Sequence, residues 1–254
     1  MSSNLTGGTK YILAIEKVGF LAADRLILNA SFAWTREAEV SKVTVDISMS
    51  LDGFVAGPNP TLEEPLGEGG ERLHEWVVAT QSWRESHGLS GGETGVDADV
   101  MAETLGKVGA TVMGRRMFSG GAGPWADDPN PDGWWGVDPP FHHPVFVLTH
   151  HPREPVAKQG GTTYTFVTSG IEAALEQARA AAGDKDVVVA GGANAIQQYL
   201  NAGLIDEMQI HVAPVLLGGG VRLFDNVQKA PFGLEYTSMI ESSAVSHLRL
   251  RVPK

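Results

Sequence analysis

The sequence predicts an α/β domain with a mixed, mostly parallel central sheet, flanking helices and a C-terminal antiparallel hairpin. Three observations carry that prediction. Short apolar runs alternate with helical stripes through the middle of the chain. One run, Val187–Ala190, is apolar at every position, as in a parallel strand covered on both faces. Two stretches, 232–241 and 244–252, close the chain as a hairpin.

The elements follow in order. Residues 1–41 show no clean period and are expected to form a poorly ordered N-terminal extension ahead of one domain over 42–254. From there Val43, Val45, Ile47 and Met49 alternate with Thr44, Asp46, Ser48 and Ser50, the period of a strand. The Gly-, Pro- and Glu-rich segment 57–70 is a loop. The spacing of Leu73, Trp76, Val77 and Trp83 predicts a helix over 71–86, and Asp97 is placed to cap a second helix carrying Val100, Met101, Leu105 and Val108. Ala110–Met113 and Val145–Leu148 read as apolar strands around a long loop, 119–144, dense in Gly, Pro, Asp and Trp. Tyr164–Val167 is a further strand. Ser169-Gly-Ile-Glu172 has capping-box spacing before the stripe Ile171, Ala174, Leu175, Ala178 and Ala182. Gly191-Gly192 opens a helix with Ala193, Ile196 and Leu200 inward, stopped at Gly203. Met208, Ile210 and Val212 alternate as a strand.

Composition narrows the function. The 254 residues include 31 glycines and no cysteine, with 30 Asp+Glu against 19 Lys+Arg, a formal charge of −11. Without cysteine there is no disulfide framework, zinc finger or thiolate chemistry. The negative charge argues against nucleic acid or an anionic membrane as partner. The sequence has no run of about 18 apolar residues and no signal-peptide pattern, so a cytoplasmic protein acting on a small molecule is expected. An anionic ligand must be held locally, by backbone N–H groups or a few arginines.

Several segments could do so. Val187-Val-Val-Ala-Gly-Gly-Ala-Asn194 runs from a buried strand through two glycines into a helix start. Such a corner suits a pyrophosphate, or is a turn that needs glycine for packing alone. Thr111-Val-Met-Gly-Arg-Arg-Met-Phe118 ends a strand in a glycine and two arginines, a phosphate clamp or a solvated basic pair. Thr149 and His150 follow the Val145–Leu148 strand. Ligands of open α/β sheets bind at such carboxyl ends. Neither the G-x-G-x-x-G dinucleotide fingerprint nor a phosphate loop is present in that context. The His142-His143 and His150-His151 pairs make poor chelates, because adjacent residues on an extended chain diverge, and no metal site is expected. Trp125, Trp134 and Trp135 in the long loop suggest a lid or an aromatic wall over a ring-shaped substrate, with packing or a subunit contact as the alternative. Asp52, in Ser50-Leu-Asp-Gly-Phe-Val-Ala-Gly57, is either a turn former or a substrate ligand.

Taken in chain order, SLDGFVAG (50–57), TVMGRRMF (111–118), VFVLTHH (145–151), VVVAGGANAIQQYL (187–200) and IDEMQIHVAPVLLGGGVRLF (205–224) resemble the dihydrofolate reductase-like superfamily. The resemblance is strongest to its riboflavin-biosynthesis reductase branch, the deaminase–reductase C-terminal domain family. It implies a three-layer dihydrofolate reductase-like fold, NADPH as hydride donor and a homodimer. It places Gly114, Arg115 and Arg116 at the cofactor phosphates and Thr149 and His150 near the adenosine 2′-phosphate. Gly191, Gly192, Ala193 and Asn194 would cradle the pyrophosphate, and Ser48 would lie near the nicotinamide. Asp52 lies beside the substrate, where it would bind or polarise it, with Trp125 as a substrate wall. The implied reaction reduces 5-amino-6-(5-phosphoribosylamino)uracil or a related C=N or C=O compound. The acid of folate reductases has no counterpart; Glu71, Glu75 and Glu85 are only neighbours. Asp127-Asp128-Pro129 begins like the riboflavin reductases' D-D-P-x-L-T-x-R and then departs from it. A dihydrofolate reductase and a non-catalytic ligand-binding protein of the same fold are the alternatives.

Overall fold

Val43 and Val45 are fully buried, and the strand they open is the spine of the sheet. The computed structural model describes residues 41–228 and 233–254. The extension expected over 1–41 lies, apart from Ser41, outside the described residues. The strands are β1 (Val43–Ser50), β2 (Phe54–Ala56), β3 (Val108–Gly114), β4 (Pro144–Leu148), β5 (Val156–Ala157), β6 (Thr163–Val167), β7 (Asp186–Gly191), β8 (Glu207–Ala213), β9 (Val221–Arg222), β10 (Glu235–Glu241) and β11 (Ser246–Arg251). Nine of them form one sheet in the order β10-β11-β8-β1-β7-β3-β4-β6-β5, and β2 pairs with β9. The run from β8 to β6 is parallel throughout. β5, and the β10–β11 hairpin through β11, join it antiparallel. The expected α/β class and closing hairpin are therefore the observed ones.

Parallel strands need crossovers, and the helices supply them. They are α1 (Glu75–Ala79), α2 (Gln81–Ser86), α3 (Val96–Lys107), α4 (Arg115–Ser119), α5 (Ile171–Ala182) and α6 (Ala193–Asn201). α5 and α6 cover one face, where Ala174, Ala178, Ile196 and Tyr199 pack on Val45, Val112, Val187 and Val189. The other face is covered in two parts. The segment α1–α3 lies over β1, β8 and β11, where Thr104 and Asp97 meet Asp46 and His247. α4 and the long loop lie over β3, β4 and β6, where Phe118 packs with Met113, Val147, Tyr164 and Phe166.

Three local expectations change. The helix expected over 71–86 is a 3₁₀ turn at Gly70–Leu73 followed by α1 and α2. Thr80 interrupts it with an extended backbone (φ −71°, ψ 147°). Its Oγ1 donates to the Val77 carbonyl at 2.7 Å and accepts from the Trp83 N–H at 3.2 Å, closing one helix and capping the next. Gly95, not Asp97, precedes α3, and Asp97 sits in its first turn with its carboxylate turned to other partners. α5 is preceded by Gly170 with no side-chain cap, so the Ser169–Glu172 capping box does not form.

Candidate cofactor site

Four adjacent strands, β1, β7, β3 and β4, bring the expected site residues to one edge of the sheet. β7 ends at Gly191, whose ladder partner is Met113. Gly114 follows, and a Cβ there would lie 3.8 Å from the Gly191 carbonyl oxygen and the Gly192 nitrogen. The two glycine corners, 77 residues apart in the chain, are thus in contact. Gly191 has φ +126°, a region side chains rarely adopt, and the Gly191–Gly192 peptide is cis. In front of Gly192 the space is open, with nothing within 4 Å of where a Cβ would sit. Ala193 is buried and begins α6, which no side chain caps. Asn194 is exposed and its Oδ1 accepts from Gln198 at 2.7 Å.

The two arginines after Gly114 separate sharply. Arg116 is exposed and lines a cavity of about 360 Å³ with Pro60, Leu62, Gly120 and Trp134. Arg115 is buried. Its Nη1 pairs with the Asp128 carboxylate and the Ser119 hydroxyl. Ser119 in turn donates to Asp128 at 2.8 Å, as does the Asn130 N–H. Burial draws the Arg115 pKa down, and Asp128 opposes it. Burial raises the Asp128 carboxyl, but the Asn130, Ser119 and Arg115 donors outweigh it and leave it lowered. The Arg115 Nε and Nη2 are enclosed and have no hydrogen-bond partner. These two groups form the edge of a guanidinium that grips two oxygens at once.

Thr149 is buried at the end of β4, its N–H donating to Val167 and its Oγ1 accepting from the His151 N–H, while His150 is exposed. Trp125 does not stand free over a site. It packs on Phe118 and Phe166, its Nε1 donates to the His151 carbonyl at 2.9 Å, and the guanidinium of Arg115 lies 3.3 Å from its ring centre. Trp135 packs on Phe141. At these positions the aromatic loop builds core, and the substrate-wall role expected of Trp125 gives way to support of Arg115.

Asp52 is revised too. Its carboxylate accepts from Ser50 Oγ at 2.6 Å, Leu217 N–H at 3.1 Å and Gly218 N–H at 2.8 Å. The Ser50 hydrogen bond leads in holding its pKa at about 2. A carboxylate so occupied ties the 214–220 turn to the end of β1 and has no proton to give near neutrality. Glu71, Glu75 and Glu85 are exposed. Ser48 is buried, and its Oγ accepts from Trp76 Nε1 at 3.0 Å.

Sequence reasoning missed what lies around Ser48. Asp46, on the same face of β1, meets His211 Nε2 at 3.3 Å. His211 Nδ1 lies 2.6 Å from His247 Nδ1, and His247 Nε2 lies 2.8 Å from Asp97. Both imidazoles are buried, and the Trp76 ring rests against both, at 4.6 and 5.1 Å between centres. The signal was a polar residue at alternate positions of strands otherwise built for a core. Only the register that pairs His247 with His211 joins these residues into one group.

Residues 41–245 match the family described as the RibD C-terminal domain. The chain belongs to that family. The uncharacterized protein YyaP of Bacillus subtilis (strain 168) is 23% identical over 206 residues, covering 77% of this chain and 86% of its own. The riboflavin biosynthesis protein RibD of Corynebacterium ammoniagenes is 25% identical over 200 residues, covering 76% of this chain; the match spans 49% of that longer protein. The crystal structure of a putative riboflavin biosynthesis protein from Shewanella sp. PV-4 superposes with a TM-score of 0.50 at 22% identity, covering 84% of this chain and 99% of that one. The α/β fold described above is the fold that this chain shares with that structure.

Proposed function

We propose that this RibD-family chain is an NADPH-dependent reductase of the riboflavin-biosynthesis type, which passes a hydride to a C=N or C=O carbon of a small heterocyclic or sugar-linked compound. 5-Amino-6-(5-phosphoribosylamino)uracil is the substrate that the family suggests. The observation that carries the reading is the contact of Gly114 with Gly191–Gly192, with open space at Gly192 and two arginines directly after Gly114. A dinucleotide needs close backbone approach and local positive charge, and both occur here in a chain of net charge −11.

Bound there, the cofactor supplies the hydride. The protein's own contribution is placement. Gly191, Gly192, Ala193 and Asn194 offer an open backbone corner to the pyrophosphate. Arg116 offers its exposed guanidinium to phosphate oxygens, Arg115, enclosed and paired with Asp128, holds the strand end that carries it, and Thr149 and His150 follow along the same edge. Ser48, at the β1 end of that edge, is assigned to the nicotinamide. Asp52 holds the neighbouring turn. The same reading carries a homodimer, to be measured by light scattering.

Titration with NADPH, followed by fluorescence, tests the site. Arg115→Ala and Arg116→Ala should each weaken binding about tenfold, the scale of one charge-assisted contact. Binding as tight in both variants as in the wild type overturns the assignment. NADPH oxidation with flavin precursors, pterins and carbonyl compounds then identifies the substrate. Turnover of dihydrofolate would favour a folate reductase, and binding with no turnover of any compound a ligand-binding protein.

A further inference from the structure

The chain Asp46–His211–His247–Asp97 crosses three adjacent strands and ends on α3. It contains three contacts in series, at 3.3, 2.6 and 2.8 Å, and both ends are carboxylates. A carboxylate accepts and does not donate, so each end contact needs an N–H from its histidine. The central contact, between two Nδ1 atoms, needs one more. Three protons are required, and two neutral imidazoles carry two.

The third proton cannot be assigned to the ends without loss. Asp46 already accepts from Gln209 Nε2 at 2.8 Å, and Asp97 from Ser242 Oγ at 3.0 Å. The other charged groups on this face are balanced. Arg249 on β11 is paired with Glu103 of α3. His74, just before α1, is held down by burial with its Nδ1 unpartnered, and burial likewise lowers His247 against the opposing pull of Asp97 and Asp46. The face of Trp76 lies against the pair, a surface that attracts a cation.

We propose that Asp46, His211, His247 and Asp97 together hold one extra proton, as an imidazolium shared by the two histidines, and that this proton, beside Ser48 and against Trp76, is a positioning element of the candidate site. It fastens α3 to the sheet through Asp97. It also lowers the charge of the four-residue group from −2 to −1 on the strand beside Ser48, so that negative charge developing on a hydride-accepting compound is opposed less than it would be without the proton. This last consequence rests on the reductase reading; the proton count does not.

The two parts are therefore tested separately. Asp97→Asn is the decisive variant. Its Oδ1 can accept from Ser242 and its Nδ2 can donate to His247 Nε2, so every contact survives with one proton fewer. Long-range ¹H–¹⁵N correlation spectra of ¹⁵N-histidine-labelled protein at pH 7, without cofactor, should show three protonated nitrogens on the two buried imidazoles of the wild type and two in the variant. Two neutral imidazoles in the wild type overturn the proposal, and that spectrum decides even if the variant does not fold. In turnover, the wild-type kcat should fall on the alkaline side as the shared proton leaves. Asp97→Asn should lack that limb, with KM for NADPH unchanged. The same alkaline limb in both proteins overturns the positioning role. Absence of NADPH binding would instead sink the reductase reading and leave the proton count standing.

Discussion

Gly191 combines φ +126° with a position against Met117, whose Sδ would lie 3.5 Å from an added Cβ. The conformation, more than the space, forbids a side chain. Gly191→Ala should cost about 1–3 kcal/mol in urea unfolding and weaken NADPH binding, because the corner cannot be kept. Asp52 gives a prediction of a different kind. Its folded pKa of about 2 is below the ordinary carboxylate value. Its contribution to stability is therefore complete above the unfolded value near pH 4 and lost as pH falls towards 2. Asp52→Asn should lack that acid-sensitive part, and its stability should vary less over the same window. An unchanged slope between pH 4 and 2 would mean that the carboxylate is not held as described.

At the scale of elements, α6 is fixed by its inner stripe. Ile196 and Tyr199 are fully buried, and Tyr199 Oη also donates to the Ile171 carbonyl at 2.7 Å, joining α6 to α5. Ile196→Ala should cost about 2–5 kcal/mol, read as a lowered denaturation midpoint with little change in slope. The strands and α6 were legible because period and burial coincide there: Val187–Val189 could only be an inner strand. The edge that gathers Gly114, Thr149 and Gly191 was legible too, since each follows an apolar run. What could not be read were choices decided by distant partners. Thr80 breaks a stripe whose spacing is helical. Asp97 looks like a cap, but its carboxylate is drawn to His247, 150 residues away. Arg115 and Arg116 are adjacent in sequence, yet only one of them has a carboxylate waiting in the next loop.

For the whole molecule, acid sensitivity should enter in two stages. His143 is half-buried, shares one hydrogen bond with Thr111 Oγ1 at 2.8 Å, and has its pKa pushed down to about 4, chiefly by burial. The fold thus favours its neutral form. That contribution is whole above about pH 6.5 and disappears as pH falls through 4. Asp52 and Glu103, both held at about 2, act below that. Urea unfolding at pH 7, 5 and 3 should show the first loss already at pH 5, and His143→Gln should reduce it, the remainder belonging to His74 and His247, which burial also lowers. An identical loss from pH 7 to 5 in the variant would assign it elsewhere.

The stacking of Arg115 on Trp125 has an optical consequence. An indole pressed against one guanidinium at 3.3 Å, with that of Arg153 at 4.8 Å, emits in a field set by their charges. An anion settling at the neighbouring Gly114–Arg116 corner alters that field without touching the ring. The emission of Trp125 is then a built-in gauge of occupancy, and Trp125→Phe should silence it.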